Sequence, residues 1–238
     1  MTSPVDVVHE HGDTEGLGNR LNWLRAGVLG ANDGIVSTAG LVMGVAGATS
    51  DRTAILIAGV AALVAGALSM GAGEYVSVST QRDAELSLIA KERHDLERMP
   101  EEELHHLTGL LEDRGLSPEV ARTAAEELTA KDVLRAHAEF EFGIDIDDVT
   151  NPWSAALASM VSFSIGALLP LLTILLPTPE RFYVTAVAVA AALAVTGWTS
   201  ARLGYAHPLP AVIRNVLGGV FAMGVTLLIG SVLGTRIG

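Results

Sequence analysis

One acidic residue lies inside a long apolar stretch of the sequence. Between Ala26 and Ser50 the only charged side chain is Asp33. A carboxylate at the centre of a membrane helix costs about 2.5–3.5 kcal/mol on insertion scales, and such residues usually line a pathway or bind an ion. The flanking Asn32 and Gly34 predict a locally loosened helix, whose carbonyl oxygens beside a carboxylate suit a divalent cation. The alternative is an aspartate that bonds a neighbouring helix and only stabilises packing.

A thioether and a carboxylate end the second apolar stretch. Met70 and Glu74 are four residues apart, so they share one helix face. A soft sulfur beside a hard oxygen suits Fe(II) better than Mg or Ca. We therefore expect Asp33, Met70 and Glu74 to line a transport pathway. The alternatives are that Met70 only fills the core and that Glu74 reaches the membrane interface.

A strongly acidic segment carries further candidate ligands. Residues 81–148 hold 19 Asp and Glu against 8 Lys and Arg. Six possible metal ligands occur there in pairs three or four residues apart: Glu92 with Asp95, Glu103 with His106, and His137 with Glu141. Each helix can direct its pair to one side, and together the pairs can form an acidic multi-metal site. A solvated acidic face is the alternative.

The Glu103-x-x-His106 spacing also occurs in ferritin-like di-iron oxidases, which place Glu-x-x-His on two different helices. Here the motif and its overlapping copy, Glu102-x-x-His105, lie on one predicted helix. An oxidase site is therefore not expected.

The elements that must position these residues are long apolar helices. Half of the chain is hydrophobic and only 18% is charged. Four stretches contain no Asp, Glu, Lys or Arg: residues 54–73, 153–179, 182–201 and 215–235. Each is about long enough to cross a hydrocarbon core of roughly 30 Å, and the Asp33 segment makes a fifth. The sequence predicts an all-α membrane protein with five transmembrane helices.

The acidic segment is predicted to be a three-helix insert between the second and third spans. Proline and glycine breaks bound helices at about 81–98, 101–114 and 118–142, and the first continues the second span without a stop. The predicted organisation is a mobile cytoplasmic tail (1–20), transmembrane helices 1 and 2 (21–80), a cytoplasmic helical metal-binding domain (81–150) and transmembrane helices 3 to 5 (151–238).

The distribution of basic residues predicts the orientation. With five spans, twelve Lys and Arg fall on the side of the N-terminus and the insert, and three fall on the other side. The positive-inside rule therefore places the N-terminus and the insert in the cytoplasm.

Small residues four apart predict a tightly packed bundle. The pairs are Gly30/Gly34, Gly40/Gly44, Ser69/Gly73 and Gly230/Gly234. Five helices seldom enclose a pathway alone, so we expect a homodimer with the pathway at its interface.

Three segments of the chain resemble the vacuolar iron transporter family, including its bacterial members. They read LNWLRAGVLGANDGIVSTAGLVMGVAGA, SMGAGEYVSVSTQRDAE and EELTAKDVLRAHAEFEFGI. The resemblance implies five membrane helices, a cytoplasmic helical metal-binding domain between the second and third, and a dimeric pathway. It also implies export of Fe(II), and sometimes Mn(II), from the cytosol in exchange for protons, here across a bacterial inner membrane.

The resemblance also assigns residues. The intramembrane aspartate of the family falls on Asp33, the methionine and glutamate of the second span fall on Met70 and Glu74, and cytoplasmic glutamates fall on Glu92, Glu103 and Glu141. Asp95 and His106 stand where glutamates are expected, and His137 with Ala138 replaces a methionine pair. Asp or His in place of Glu keeps the ligand chemistry but alters the reach and softness of the ligands. The loss of the methionines makes the cytoplasmic site harder, or more suited to Zn or Mn.

Together these features predict a proton-coupled divalent-metal transporter rather than an enzyme. The metal is its substrate, and protons, lipid and a second copy of the chain are its partners. We expect no organic cofactor and no nucleic-acid partner. Two alternatives remain: a membrane-anchored metal-binding or sensing protein, and a membrane ferroxidase. Neither of them needs Asp33.

Overall fold

Helices joined by short loops make up the residues that the computed structural model describes, which are 17–147, 149–177 and 180–237. No β-strand occurs in these ranges. Most of the predicted tail lies outside the described residues, and α1 already begins at Leu17. Seven α-helices and one π-helix are present in the described ranges: α1 (Leu17–Ala48), α2 (Arg52–Arg98), α3 (Pro100–Asp113), α4 (Pro118–His137), the π-helix (Ala138–Phe142), α5 (Pro152–Ile174), α6 (Arg181–Leu203) and α7 (Pro208–Ile237).

Five of these helices, α1, α2, α5, α6 and α7, are long and apolar enough to cross a membrane. The prediction of an all-α protein with five candidate spans is therefore confirmed. In α2 the uncharged residues 54–73 supply the apolar stretch, and the charged residues 81–98 lie beyond it. The chain divides into two compact units, one built around residues 78–151 and the other around residues 21–77 and 152–238. We call them the soluble unit and the membrane unit.

In the membrane unit, α1 packs closely against α5. A Cβ atom on Gly30 would lie 2.5 Å from the carbonyl oxygen of Ser159, and one on Gly34 would overlap the carbonyl oxygen of Phe163. The contact is reciprocal, because a Cβ on Gly166 of α5 would overlap the carbonyl oxygen of Ala31. Only glycine lets the two backbones approach so closely.

A second close contact joins α1 to α7. A Cβ on Gly230 would overlap the carbonyl oxygen of Gly44, and one on Gly234 would lie 2.6 Å from that of Ala48. Buried side chains including Ile35, Val42, Ile55, Ile174 and Leu193 form the adjoining core. By contrast, a Cβ on Gly73 has no neighbour within 4 Å among the described residues, so Gly73 marks no close helix contact there.

Substitution of Gly230 tests this packing. We expect Gly230→Ala to lower the thermal stability of the membrane unit, because the added methyl group meets backbone rather than a flexible side chain. Overpacking of this kind costs about 1–3 kcal/mol, roughly 2–10 °C in Tm for a protein of this size. Tryptophan fluorescence during heating measures the effect, because Trp23, Trp153 and Trp198 all belong to the membrane unit.

The matched control is Gly224→Ala, on the same helix. A Cβ there meets no atom of the described residues within 4 Å. Equal melting temperatures for the two variants would contradict the proposed α1–α7 contact.

The predicted loosening of the helix around Asp33 is wrong. Helix α1 continues through residues 32–34, and the Ser37 hydroxyl donates to the carbonyl oxygen of Asp33 over 2.6 Å. Gly34 serves the close contact with α5 instead of opening the helix. The ligands available at this position are therefore side chains rather than freed carbonyl groups.

In the soluble unit, α3 and α4 share a small apolar core that includes Leu107, Leu111, Ala121 and Ala125. The predicted breaks are present, since prolines begin both helices and Gly115 adopts φ +96° between them.

The predicted helix at 118–142 is not uniform. Asp132 has non-helical angles (φ −164°, ψ 93°), and a π-helix replaces the last turn before Gly143, where φ is +67°. The local spacing of apolar residues does not predict these changes. They alter the directions of the side chains between Asp132 and Gly143.

Candidate functional site

A cleft of about 380 Å³ in the membrane unit contains the three residues predicted to line a pathway. Its polar lining consists of Asp33, Ser37, Ser69, Met70 and Glu74, on α1 and α2. Asp33 is exposed in the single chain, and Met70 and Glu74 are partly buried. A carboxylate, a thioether and a second carboxylate therefore line one cleft between two helices that can cross a membrane.

Glu74 has a basic neighbour that the sequence analysis missed. A guanidinium nitrogen of Arg25 lies 3.8 Å from Oε1 of Glu74, and the Arg25 side chain is 66% exposed. A pair this open stabilises little. The same buried Oε1 has no hydrogen-bond partner in the described residues. Glu74 therefore keeps an oxygen that can accept a proton or a cation. The sequence shows Arg25 only as a basic residue beside an apolar stretch.

His137 is the centre of a cluster of carboxylates in the soluble unit. Its side chain is completely buried, and its Nδ1 lies 2.9 Å from Oε1 of Glu92 and 3.8 Å from Oε2 of Glu141. These three residues can hold a metal ion with one ligand atom each. Glu92 comes from α2, His137 ends α4, and Glu141 belongs to the π-helix.

A second group of three shares His137. Glu103 and His106 of α3 complete it, with Oε2 of Glu103 lying 3.9 Å from Nδ1 of His137 and 3.5 Å from Nδ1 of His106. His106 Nδ1 also lies 3.6 Å from Oε2 of Glu141. Two ligands about 2.1 Å from one ion in tetrahedral positions are themselves about 3.4 Å apart. These separations are therefore close to those of a loaded metal site.

Unpartnered buried atoms support this reading of the cluster. Both ring nitrogens of His137, Oε1 of Glu92 and Oε2 of Glu141 lack a hydrogen-bond partner of suitable geometry in the described residues. A buried polar atom without a partner costs about 1–3 kcal/mol. A divalent cation bound by nitrogen and oxygen removes that cost, and this donor set suits Fe(II), Mn(II) and Zn(II).

In the absence of a metal ion, the electrostatics of the cluster disfavour the charged forms of Glu92 and His137. Burial, followed by the charges of Glu141, Glu103 and Asp95, raises the pKa of Glu92 from 4.5 to about 7. Burial also lowers the pKa of His137, although the neighbouring carboxylates oppose that shift. Without a bound metal, burial therefore favours a neutral imidazole, which is the form of histidine that binds metals, and Glu92 stays largely protonated only below about pH 7.

Glu92 makes the metal-free soluble unit sensitive to pH. The pKa of Glu92 is higher in the folded state (about 7) than in the unfolded state (4.5), so the folded state binds the proton more tightly. The resulting contribution to the free energy of unfolding is fully present below pH 4.5 and is lost as the pH rises through about 7. Glu92→Gln keeps the shape of the protonated form and removes this loss. In chelator, we expect the amides of α3 and α4 to exchange faster in the wild type than in the variant at pH 8, and at nearly equal rates at pH 5.

Hydrogen exchange is the suitable measurement, because residues 78–151 contain no tryptophan. His137 has the opposite pH dependence, but it is present in both proteins and cancels in the comparison. A ratio of wild-type to variant exchange that stays constant between pH 5 and pH 8 would contradict the assignment.

Asp95 is the one predicted ligand that lies outside both groups of three. Its carboxylate is 3.6 Å from Nζ of Lys91, one turn earlier on α2. Asp95 was predicted as a ligand because it lies three residues after Glu92. On an α-helix this spacing leaves the two side chains about 60° apart around the axis. Glu92 points into the cluster, and Asp95 contributes only its charge.

Comparison with known proteins places the chain in a family. Residues 24–231 match the model of the VIT family. The chain belongs to the VIT family. It is 42% identical over 212 residues to a vacuolar iron transporter of Acanthamoeba castellanii, a match that covers 87% of this chain and 77% of the relative. It is 38% identical over 218 residues to vacuolar iron transporter homolog 2.1 of Arabidopsis thaliana, covering 89% and 84%.

The VIT-family match includes both candidate sites. It begins at residue 24, one position before Arg25, and continues into α7. The prediction of membership in the vacuolar iron transporter family is therefore confirmed, and a multi-pass membrane protein is supported by both the family and the five apolar helices.

Proposed function

We propose that this protein is a proton-coupled transporter that exports Fe(II) from the cytosol, with Mn(II) as a further cargo. The observation that carries the proposal is the cleft that Asp33 shares with Met70 and Glu74 in the membrane unit of a VIT-family chain. Relatives named vacuolar iron transporters support iron as the cargo. The metal is a substrate, so the protein needs no organic cofactor and is not an enzyme.

The exposure of Asp33 supports a homodimer. In the single chain this carboxylate is exposed on a helix that can cross a membrane. A carboxylate facing lipid is unfavourable by several kcal/mol, and such residues instead face a protein interior or a water-filled cavity. A second copy of the chain against α1 and α2 encloses the cleft and brings two Asp33 side chains to one pathway.

The arrangement in the membrane follows from the basic residues. Twelve Lys and Arg on the side of the N-terminus, against three on the other, support a cytoplasmic position for the acidic segment, as an insert between the second and third spans. The membrane in this proposal is a bacterial inner membrane. The metal cluster then faces the compartment from which metal is removed.

The soluble unit collects metal in this proposal. Residues 81–148 carry a net charge of −11, which raises the local concentration of cations, an effect that salt weakens. His137, Glu92, Glu103, His106 and Glu141 then bind the ion through nitrogen and oxygen. Asp95 adds to the field without binding.

Exchange at the membrane carboxylates couples metal to protons. Each of the carboxylates of Asp33 and Glu74 either binds a proton or coordinates the metal ion, but not both at once. Metal arriving from the cytosol displaces the proton, and a proton entering from the other side releases the metal. Met70 contributes a soft ligand that favours Fe(II) over Mg(II), which is far more abundant in cells.

Flux into proteoliposomes tests the proposal. Purified protein is reconstituted, and uptake of Fe(II), Mn(II), Co(II) and Zn(II) is measured with and without a pH gradient. Uptake that requires the gradient and is accompanied by proton movement supports the proposal. Metal binding without flux would instead support a membrane-anchored sensor, and oxygen consumption on addition of Fe(II) would support a ferroxidase.

A further inference from the structure

The π-helix at Ala138–Phe142 ends in an unusual turn. The amide of Gly143 donates to the carbonyl of Glu139 over 3.1 Å, and the amide of Ile144 donates to that of Ala138 over 2.9 Å. This turn leaves the carbonyl of Phe140 without a backbone donor in the described part of the chain. π-Helices cost stability and are frequent at functional sites, and this one carries Glu141.

The side chain of Arg114 supplies the missing donor. Its Nη2 donates to the carbonyl oxygen of Phe140 over 2.6 Å, and its Nη1 donates to the carbonyl oxygen of Leu110 over 3.0 Å. The guanidinium also lies 5.1 Å from the centre of the Phe140 ring. One planar fork therefore joins the end of α3 to the π-helix.

Helix α3 and the π-helix, which Arg114 joins, each supply residues of the metal cluster. Glu103 and His106 belong to α3, and Glu141 belongs to the π-helix. Oε2 of Glu141 lies 3.6 Å from Nδ1 of His106. If the carbonyl of Phe140 lost its donor, the segment would be free to relax toward α-helical bonding, which would rotate Glu141 away from the cluster.

We propose that Arg114 is a positioning residue for metal binding, and that it acts through Glu141. The inference rests on the metal cluster of the proposed function. Arg114 itself lies outside both groups of ligands and is exposed to solvent, so its replacement opens no cavity. An arginine fits this role because its planar fork presents donors to two carbonyl groups in fixed directions.

Co(II) titration of the full-length protein in detergent tests the inference. The visible absorption of bound Co(II) that is lost in His137→Gln defines the signal of the cluster. We expect Arg114→Gln to weaken Co(II) binding there by about 10-fold or more, as is typical for groups that orient metal ligands. Arg114→Lys should recover part of the loss.

The matched control is Arg122→Gln. Arg122 is also exposed and carries the same charge, and among the described residues its one ion pair is the i, i+4 pair with Glu126. Replacement of Arg122 should change the Co(II) affinity less than about twofold, because it removes one exposed positive charge and no contact with the metal cluster.

A double variant separates positioning from general destabilisation. If Arg114 acts through Glu141, then Glu141→Gln and Arg114→Gln/Glu141→Gln bind Co(II) with the same affinity and the same spectrum, because coupled residues are not additive. Additive losses, or an Arg114→Gln protein that binds like Arg122→Gln, would overturn the inference. A wild type whose Co(II) binding does not depend on His137 would instead overturn the metal cluster itself.

Discussion

We expect Asp33→Asn to abolish metal flux in proteoliposomes, with a decrease of at least about 100-fold, equivalent to roughly 2.7 kcal/mol in the transport barrier. Asparagine has nearly the shape of aspartate, but it neither takes up a proton nor carries the negative charge that attracts a cation. The variant should remain folded, because removing a charge from a membrane helix lowers the cost of insertion. Uptake of Fe(II) and the accompanying pH change inside the vesicles are measured together.

The control for this experiment is Asp51→Asn, which makes the same change of charge at the start of α2. Oδ1 of Asp51 accepts from the amide of Thr53 over 2.8 Å, and asparagine caps helices about as well as aspartate. This variant should transport like the wild type. An Asp33→Asn protein with more than half of the wild-type flux would refute the exchange mechanism.

We expect His137→Gln to weaken metal binding at the proposed cluster by at least about 100-fold, because His137 belongs to both groups of candidate ligands. Loss of one ligand and of its supporting geometry commonly costs one to two orders of magnitude. Glu92→Gln should have a smaller effect, since it removes a ligand from one group only. Equilibrium dialysis of the full-length protein with metal analysis measures both variants.

The neighbouring His105→Gln is the control, since His105 is exposed on α3 and lies outside both groups. Flux provides a second readout. If the soluble unit only collects metal, His137→Gln raises the metal concentration needed for half-maximal flux and leaves the maximal flux close to that of the wild type. A lower maximal flux at unchanged affinity would place His137 in the pathway instead.

The prediction of the pathway residues needed little tertiary information. The cost of a carboxylate in hydrocarbon singles out Asp33 whatever the arrangement of the helices. Four-residue spacing brings Met70 and Glu74 to one face of α2 as long as that helix is continuous, which it is. Arg25 was not predicted, because no spacing rule relates it to Glu74 on another helix.

The ligands of the soluble unit depended more on packing. The pairs Glu103/His106 and His137/Glu141 occur in the cluster, but Asp95 does not. Burial of His137 favours the proposed metal site over a solvated acidic face, and burial is a property of three helices together. The role of Arg114 depends on a carbonyl 26 residues away, which no local pattern reveals.

The sequence by itself determined the five apolar helices, the charge inside the first of them and the breaks of the acidic segment. Hydrophobic length, charge and proline act locally, so they can be read without the fold. Only the tertiary structure decided which side chains converge on His137. The non-helical angles at Asp132 and the π-helix at Ala138–Phe142 change the directions of His137 and Glu141. At about 100° per residue, a small change of register turns a side chain from solvent toward the cluster.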